Sequence, residues 1–503
     1  MGIESLKLRT NTLIKGGVPK EAPFAPLSPR AKTLNPLAEK MEPMVPLDPA
    51  EAASAHSGRA NSTELAEIIT SLPQGENLRD TAKQAKEKEM MLIRVAQLYQ
   101  LYGSPAHHIE DSTRAAAEGL GMQLDIKSFP GFLIATFASQ DTSETIFQTT
   151  VSGYHLKKLE RIDTFARRCA AGQFSGSSLE EGISELDTIM MAPDPWSIPV
   201  LLLMYGISHG LSALCLFNGG WRDAVLSAGL GVLTGLSTLK LERIISPKLV
   251  KLNGFFSCVI NSFIVRIVQL HVHPSISFFP SVVSSILGIL PGLGITLGAI
   301  EISQSQIVAG TARMVYSLFK TLLIAIGISM GSQIAFHVSR KEAADIVSIN
   351  PYTLSRWQSV AAFPLLLFSL SITSNSSSNQ FASQIMTGLC GLIVYTECVV
   401  LKFSKEMTVT LAAIVVASVG HLFMMYNRRP SLIPTLSGLS MLVPGGLSVR
   451  GAAGSIVGGE EFGESGSILI SVLTVAISIA LGVFIANVMM HPGRHPKLER
   501  LGR

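Results

Sequence analysis

Charge is what this chain has least of. Of its 503 residues only 15% are Asp, Glu, Lys or Arg, while 47% are hydrophobic; soluble domains carry about 25% charged residues. That shortage excludes a single water-soluble globule of this length. Cysteine is scarce too: Cys169, Cys215, Cys258, Cys390 and Cys398 are scattered without a C-x-x-C pair, so neither a disulfide framework nor a cysteine zinc site is expected. A formal net charge of +4 gives no reason to expect a nucleic-acid partner. No apolar run follows Met1, and the N-terminus is expected to start in the cytosol without a signal peptide.

Residues 1–85 are dense in Pro, Ala, Lys and Glu without sustained periodicity, the composition of a disordered tail. From Lys86 the pattern changes. Leu92, Val95, Leu98 and Tyr102 recur at helical spacing, and Ser104-Pro105 opens a second helix as cap and first turn, closing at Gly119–Gly121. Strand-like runs follow at 122–126, 132–137 and 145–150, then helices near 155–171 and 179–191. Ser178-x-x-Glu181 fits a capping box. Residues 86–196 therefore form a small cytosolic α+β domain.

What the chain has in abundance lies after Trp196. Ten apolar segments between 197 and 490 approach the roughly 20 residues that a membrane span needs; the sixth, 357–372, is short and contains Pro364. A polytopic α-helical membrane protein is the fold class, with a basic tail at 491–503. The fourth segment, "ILGILPGLGITLGAIEIS", breaks its own helical pattern at Pro291-Gly292, with Gly294 and Gly298 close behind. The ninth repeats the break at Pro444-Gly445-Gly446. Without gaps, Pro291 pairs with Pro444, Gly292 with Gly445, Gly298 with Gly451 and Gly310 with Gly463, each 153 residues apart. Two five-span halves, 197–340 and 341–490, then enter the membrane in opposite senses, and paired interrupted helices mark the binding site of such inverted repeats. The substrate-site residues expected are Pro291, Gly292, Gly294, Pro444, Gly445 and Gly446. Ten spans return the chain to its starting side, so both termini are expected in the cytosol. Asn375-Ser376-Ser377, a glycosylation acceptor sequence, then stays cytosolic and unmodified. Gly231-x-x-x-Gly235 and Gly327-x-x-x-Gly331 suit close helix packing.

Ionisable residues within spans are costly and mark function more often than elsewhere. Glu301, Glu397 and Arg450 are the candidates for coupling to a proton or cation gradient, with helix-end or packing roles as the alternative. Arg266 and Lys320 lie near span ends, where their side chains can snorkel to the interface. "GISHG", Gly206–Gly210, matches G-x-S-x-G formally but lies within a span and lacks the strand-turn-helix context of a nucleophile elbow. His107-His108 with Glu110 and Asp111 lack further ligands and suit an exposed polar face better than a metal site. No cofactor and no enzyme activity are expected.

The segments "YGSPAHHIEDSTRAAAEGLGMQL", "SGYHLKKLERIDTFARRCAAGQFSGSSLEEGISELDTI" and "FNGGWRDAVLSAGLGVLTG", with the two Pro-Gly segments, resemble the threonine/serine exporter family and its fungal pheromone-regulated branch. The resemblance covers about 86–490. It implies a ten-span exporter of threonine, serine or similar small amino acids, driven by a proton or ion gradient, behind a cytosolic domain. A non-transporting scaffold in signalling or cell fusion and a membrane-associated hydrolase are the alternatives.

Overall fold

The computed structural model describes residues 74–138, 143–174, 178–241, 252–340, 356–427, 430–443, 445–457 and 465–490. Most of the predicted tail, Pro444, Gly463 and the basic C-terminus lie outside them. Leu78–Arg503 is one compact unit.

The α+β domain is built from α1 (Gln74–Leu101), α2 (Ala106–Gly119), strands β1 (Gln123–Phe129), β2 (Phe132–Ala138) and β3 (Ser143–Thr149), α3 (Leu156–Ala170) and α4 (Ser178–Met191). The first helix begins before the expected Lys86, at Gln74. The antiparallel sheet runs β1-β2-β3, and Phe129 pairs with Phe132 across a Pro130-Gly131 turn whose glycine takes φ 98°. β1 buries Leu124, Ile126 and Ser128 on alternate positions, the pattern of a strand with one face on a core. α3 buries Leu156, Leu159, Ile162, Phe165 and Cys169, a helical stripe. These meet Leu92, Val95 and Tyr99 of α1. Each such fully buried large side chain contributes roughly 1.5–3 kcal/mol.

Two helix starts differ from expectation. Ser178 is the first residue of α4, and its hydroxyl donates to the Gln173 carbonyl at 3.4 Å. Ser104 does not cap α2: Pro105 occupies that position, and the Ser104 Oγ lies 3.2 Å from His108 Nδ1.

The apolar part comprises α5 (Ile198–Cys215), α6 (Trp221–Leu236), α7 (Asn253–His271), α8 (Phe278–Ser285), α9 (Gly292–Ser303), α10 (Ile307–Ser339), α11 (Arg356–Thr373), α12 (Phe381–Val400), α13 (Lys405–Asn427), α14 (Leu432–Leu442), α15 (Gly445–Val457) and α16 (Ser465–Met490). Among the described residues, six helices are long and apolar enough to cross a membrane, and seven if the pair α8–α9, bent by 60°, counts as one span. α10 exposes Val315, Phe319, Leu322, Ile326 and Met330, a stripe that hydrocarbon accepts and water does not. The chain is thus a multi-pass membrane protein.

The first break opens at Ile286, where α8 ends, and closes at Pro291; the same local effect acts at both prolines. A proline drives its predecessor out of the helical region. Leu290, before Pro291, takes φ −59° and ψ 129°, and Val443, before Pro444, takes φ −66° and ψ 134°. Helix resumes at Gly292 and at Gly445. Packing around the two broken elements is reciprocal. α9 lies on α10 and α16, and α15 lies on α16 and α10; α7 packs along α10 as α13 packs along α16. The small-residue pairs serve contact: a Cβ on Gly231 would lie 3.0 Å from the Tyr205 carbonyl of α5, and one on Gly327 3.0 Å from that of Phe255 on α7.

Arg266 is a correction. It is 2% exposed and does not snorkel: its Nε donates to Ser332 Oγ (3.0 Å) and Nη1 to Gln269 Oε1 (2.8 Å), while the guanidinium lies 3.7 Å from the Phe278 ring centroid. Aromatic faces supply the cation's surroundings in place of the interface.

Candidate functional site

The two broken helices meet where each resumes. A Cβ built on Gly292 would lie 2.6 Å from Gly445 Cα and 2.7 Å from its nitrogen, so only glycine permits the approach of α9 to α15. Gly294 abuts the Ser317 hydroxyl of α10, which would have to turn aside for a side chain there, and Gly446 abuts the Phe217 ring. A cavity of about 1720 Å³ opens at this junction; Pro291, Gly292, Gly294, Gly445, Gly446 and Arg450 line it. The structure therefore brings together every described residue expected at the substrate site. Sequence reasoning missed Ser317, Ser437 and Ser440, which line the same space; single polar residues in apolar runs carry little signal. Lys320 faces this cavity.

The coupling candidates separate. Arg450 stacks its guanidinium 5.2 Å from the Phe279 ring centroid. Glu397 sits exposed in the last turn of α12, away from the cavity lining. Glu301 is fully buried at the far end of α9, where its Oε1 accepts the Ala106 N–H (2.8 Å) and its Oε2 the Arg313 Nε–H (2.9 Å). A carboxylate from an apolar helix thus supplies the cap that Pro105 cannot give α2, at the helix end that attracts negative charge.

More contacts join the α+β domain to the apolar helices. Gln306 Nε2 donates to Glu110 Oε2 (2.8 Å), which also accepts from Lys127 Nζ (2.9 Å). The N–H groups of Leu156 and Lys157 donate to the Ser374 and Asn375 carbonyls (3.2 and 3.0 Å), and Trp196 Nε1 donates to the Ser376 carbonyl (3.1 Å). Arg167 Nη2 lies 3.9 Å from Met424 Sδ.

The expected exposed polar face at 107–111 is mostly buried. Glu110 is 2% exposed, and His108 Nε2 lies 3.2 Å from Asp163 Oδ1. His107 and His108 are half-buried, and Asp111 is exposed. Burial raises the Asp163 carboxyl, but His108 and Arg167 together hold it below its ordinary value. Burial, aided by His108 and Arg313, pushes the His107 imidazole from 6.5 down to about 3. The unfolded chain thus takes up a proton at His107 as pH falls through about 6.5, while the folded chain takes it up only near 3, so stability declines across that window. Thermal unfolding of the full chain in detergent, scanned from pH about 7 to about 4, should show that decline, and His107→Asn should flatten it. An equal decline in the variant would remove His107 as the cause.

Two serine-histidine arrangements bear on hydrolysis. Ser104, His108 and Asp163 form a hydrogen-bonded line of 3.2 Å steps, yet Ser104 is 2% exposed and none of the three lines the cavity. Ser208 and His209 lie inside α5, where His209 Nδ1 engages the Tyr205 carbonyl at 2.7 Å; a continuous helix is not a nucleophile elbow. Among the described residues no group of His, Cys, Asp and Glu could hold a metal ion.

Residues 90–335 match the family model described as putative threonine/serine exporter. The resemblance read from the sequence holds, and the family is one of membrane transporters of the exporter kind. Pheromone-regulated membrane protein 10 of Eremothecium gossypii is 23% identical over 427 residues, 81% of this chain and 56% of its own length. Its namesake in Candida glabrata is 23% identical over 427 residues, 81% and 53% of the two chains. An uncharacterized Schizosaccharomyces pombe protein is 24% identical over 374 residues, 72% of this chain and 44% of its own. The chain spans about half the length of the curated relatives it matches. No solved structure matches it.

Proposed function

We propose that this chain is a secondary transporter that exports small amino acids of the threonine and serine kind, drawing on a proton or cation gradient. Its site is the junction of Pro291, Gly292 and Gly294 with Pro444, Gly445 and Gly446. The observation that carries the reading is the contact of Gly292 with Gly445 at the wall of a large cavity. A break in a membrane helix frees backbone N–H and C=O groups that lipid cannot satisfy, so it belongs where water or solute can. Two helix N-termini there present positive dipole ends to a carboxylate, and freed carbonyls can hold an ammonium.

Ten crossings in two opposed halves of five complete the proposal. The reciprocal packing of α9 and α15 on α10 and α16 supports it. So does parity. The loop at Gln306, the loop at Ser374–Asn375 and the end of α13 at Met424 all touch the α+β domain, and two helices separate each from the next, as alternating crossings require. Asn375 then shares the cytosolic side with that domain. Glycosidase treatment should leave gel mobility of wild type and Asn375→Gln alike; a shift that depends on Asn375 would contradict the count of spans. The reading as a whole is tested by efflux of labelled threonine and serine from proteoliposomes holding the purified chain. Flux above protein-free vesicles is expected, and its absence across an amino-acid panel would leave the scaffold alternative.

A further inference from the structure

We infer that the outward face of the β1-β2-β3 sheet rests on the bilayer, one end seated among the headgroups of the leaflet beside the α+β domain. The face is graded. Register aligns Phe129 with Phe132 and Thr149, and Lys127 with Ile134 and Phe147. Asp125 aligns with Thr136 and Thr145, and Gln123 with Ala138 and Ser143. These four rows alternate with the buried Leu124, Ile126, Leu133, Ala135 and Phe137, so they share the opposite face. The first two rows hold three phenylalanines and Ile134, with the Phe129 and Phe132 rings stacked at 4.8 Å. The last two hold only polar side chains and Ala138. A sheet face turned to water is ordinarily polar throughout, yet Phe147 is 72% exposed and Phe132 42%.

The apolar end is the end nearest the membrane. The Pro130-Gly131 turn and the chain after Thr150, whose N–H donates to the Gly131 carbonyl (2.9 Å), close that end of the sheet. Both reach the space between the apolar helices, whereas Gln123, Ala138 and Ser143 do not. Lys127 Nζ and Gln306 Nε2 donate to the same Glu110 oxygen, at 2.9 and 2.8 Å, so the second row stands beside the residue that precedes α10. The first turn of α10 exposes Ile307 and Val308, which begin the lipid-facing stripe that continues through Val315 and Phe319. The sheet face is thus continuous with a surface that lipid covers. With 33 residues α10 is about 50 Å long, against about 40–45 Å for hydrocarbon core and headgroups together. Its first turn therefore stands at headgroup level, where aromatic side chains concentrate. A protein partner would have no cause to favour only the end nearest the bilayer; a lipid surface has. The contact needs the membrane setting of the chain and is independent of what the chain carries.

Tryptophan fluorescence of the full chain in phosphatidylcholine vesicles tests the contact. Phe147→Trp and Ser143→Trp place reporters about 14 Å apart on one face of β3, both at exposed positions that accept a larger ring. Emission from Trp196, Trp221 and Trp357 is subtracted with the unsubstituted chain. In vesicles whose acyl chains are brominated near the headgroup, the Phe147→Trp emission should be largely lost, and in ordinary lipid it should be blue-shifted. The Ser143→Trp emission should persist in brominated lipid and be lost to iodide present on both sides of the membrane. Emission at 147 that iodide quenches and brominated lipid spares would overturn the inference. Emission at 147 shielded from both quenchers would overturn it too, since a second copy or another protein would then cover the face.

Discussion

Gly292→Ala will reduce transport by about tenfold or more, whereas Gly445→Ala will leave it within about threefold of wild type. The magnitudes follow from overpacking, which costs about 1–3 kcal/mol where neighbours cannot yield. The two glycines are equivalent by sequence offset and touch in space, but the room around each differs. A methyl on Gly292 would lie 2.6 Å from Gly445 Cα, which is backbone and cannot rotate away. A methyl on Gly445 would meet Gly292 Cα at 3.4 Å and Leu290 Cβ at 3.4 Å, ordinary contact distances. Gly445→Leu, which must place further atoms in the same space, should be as severe as Gly292→Leu. Surface and total expression measured with flux separate a damaged site from a lost protein. Equal behaviour of the two alanine variants would mean that α9 and α15 do not touch in the way described.

Glu301→Ala is expected to loosen the α+β domain from the apolar helices. The substitution strips the Ala106 N–H of its acceptor and Arg313 of its partner at once. Arg313 is only partly buried and can turn to the cavity, so the cost is mainly that of the Ala106 N–H left without its acceptor, about 1–3 kcal/mol. Glu301→Gln keeps one acceptor oxygen for Ala106 but loses the charge and turns an NH2 donor toward the Arg313 Nε–H, so its effect should be smaller than that of alanine without vanishing. Limited proteolysis of the reconstituted chain reads this directly: cleavage within 103–106 should accelerate strongly in the alanine variant and modestly in the glutamine variant. Unchanged cleavage in both would show that the contact does not hold the domain. α9 carries Gly292 at one end and Glu301 at the other, so a change in flux should accompany the change in cleavage.

Local chemistry made much of this legible from residues alone. The three strands and the helices at Leu156–Ala170 and Ser178–Met191 lie within a few residues of their expected places, because apolar spacing and turn residues act over short range. The breaks were legible for the same reason: a proline constrains the residue before it wherever it stands. What failed involved partners far along the chain. No periodicity tells Glu301 that it meets Ala106, 195 residues away. Nor could position near a span end reveal that Phe278 and Phe336 enclose Arg266. Residues 74–85 were assigned to the tail because their charged pattern has no apolar face, yet helix extends through them. Glu397 stands apart from the cavity. A carboxylate in an apolar run drew attention, but it occupies the exposed last turn of α12 and contributes nothing to the cavity wall.

The meeting of the two broken helices is the central claim, and a cross-link measures it most directly. A Cβ at Gly445 would stand 3.4 Å from Leu290 Cβ, close to the mean of about 3.8 Å found in disulfides. The double variant Leu290→Cys, Gly445→Cys, reconstituted and mildly oxidised, should form that bond, identifiable by mass spectrometry of the linked peptides. Flux should stop on oxidation and return with a reductant, while each single variant keeps its flux under the same oxidation. Failure of the bond to form, or full flux through the cross-linked protein, would contradict the account.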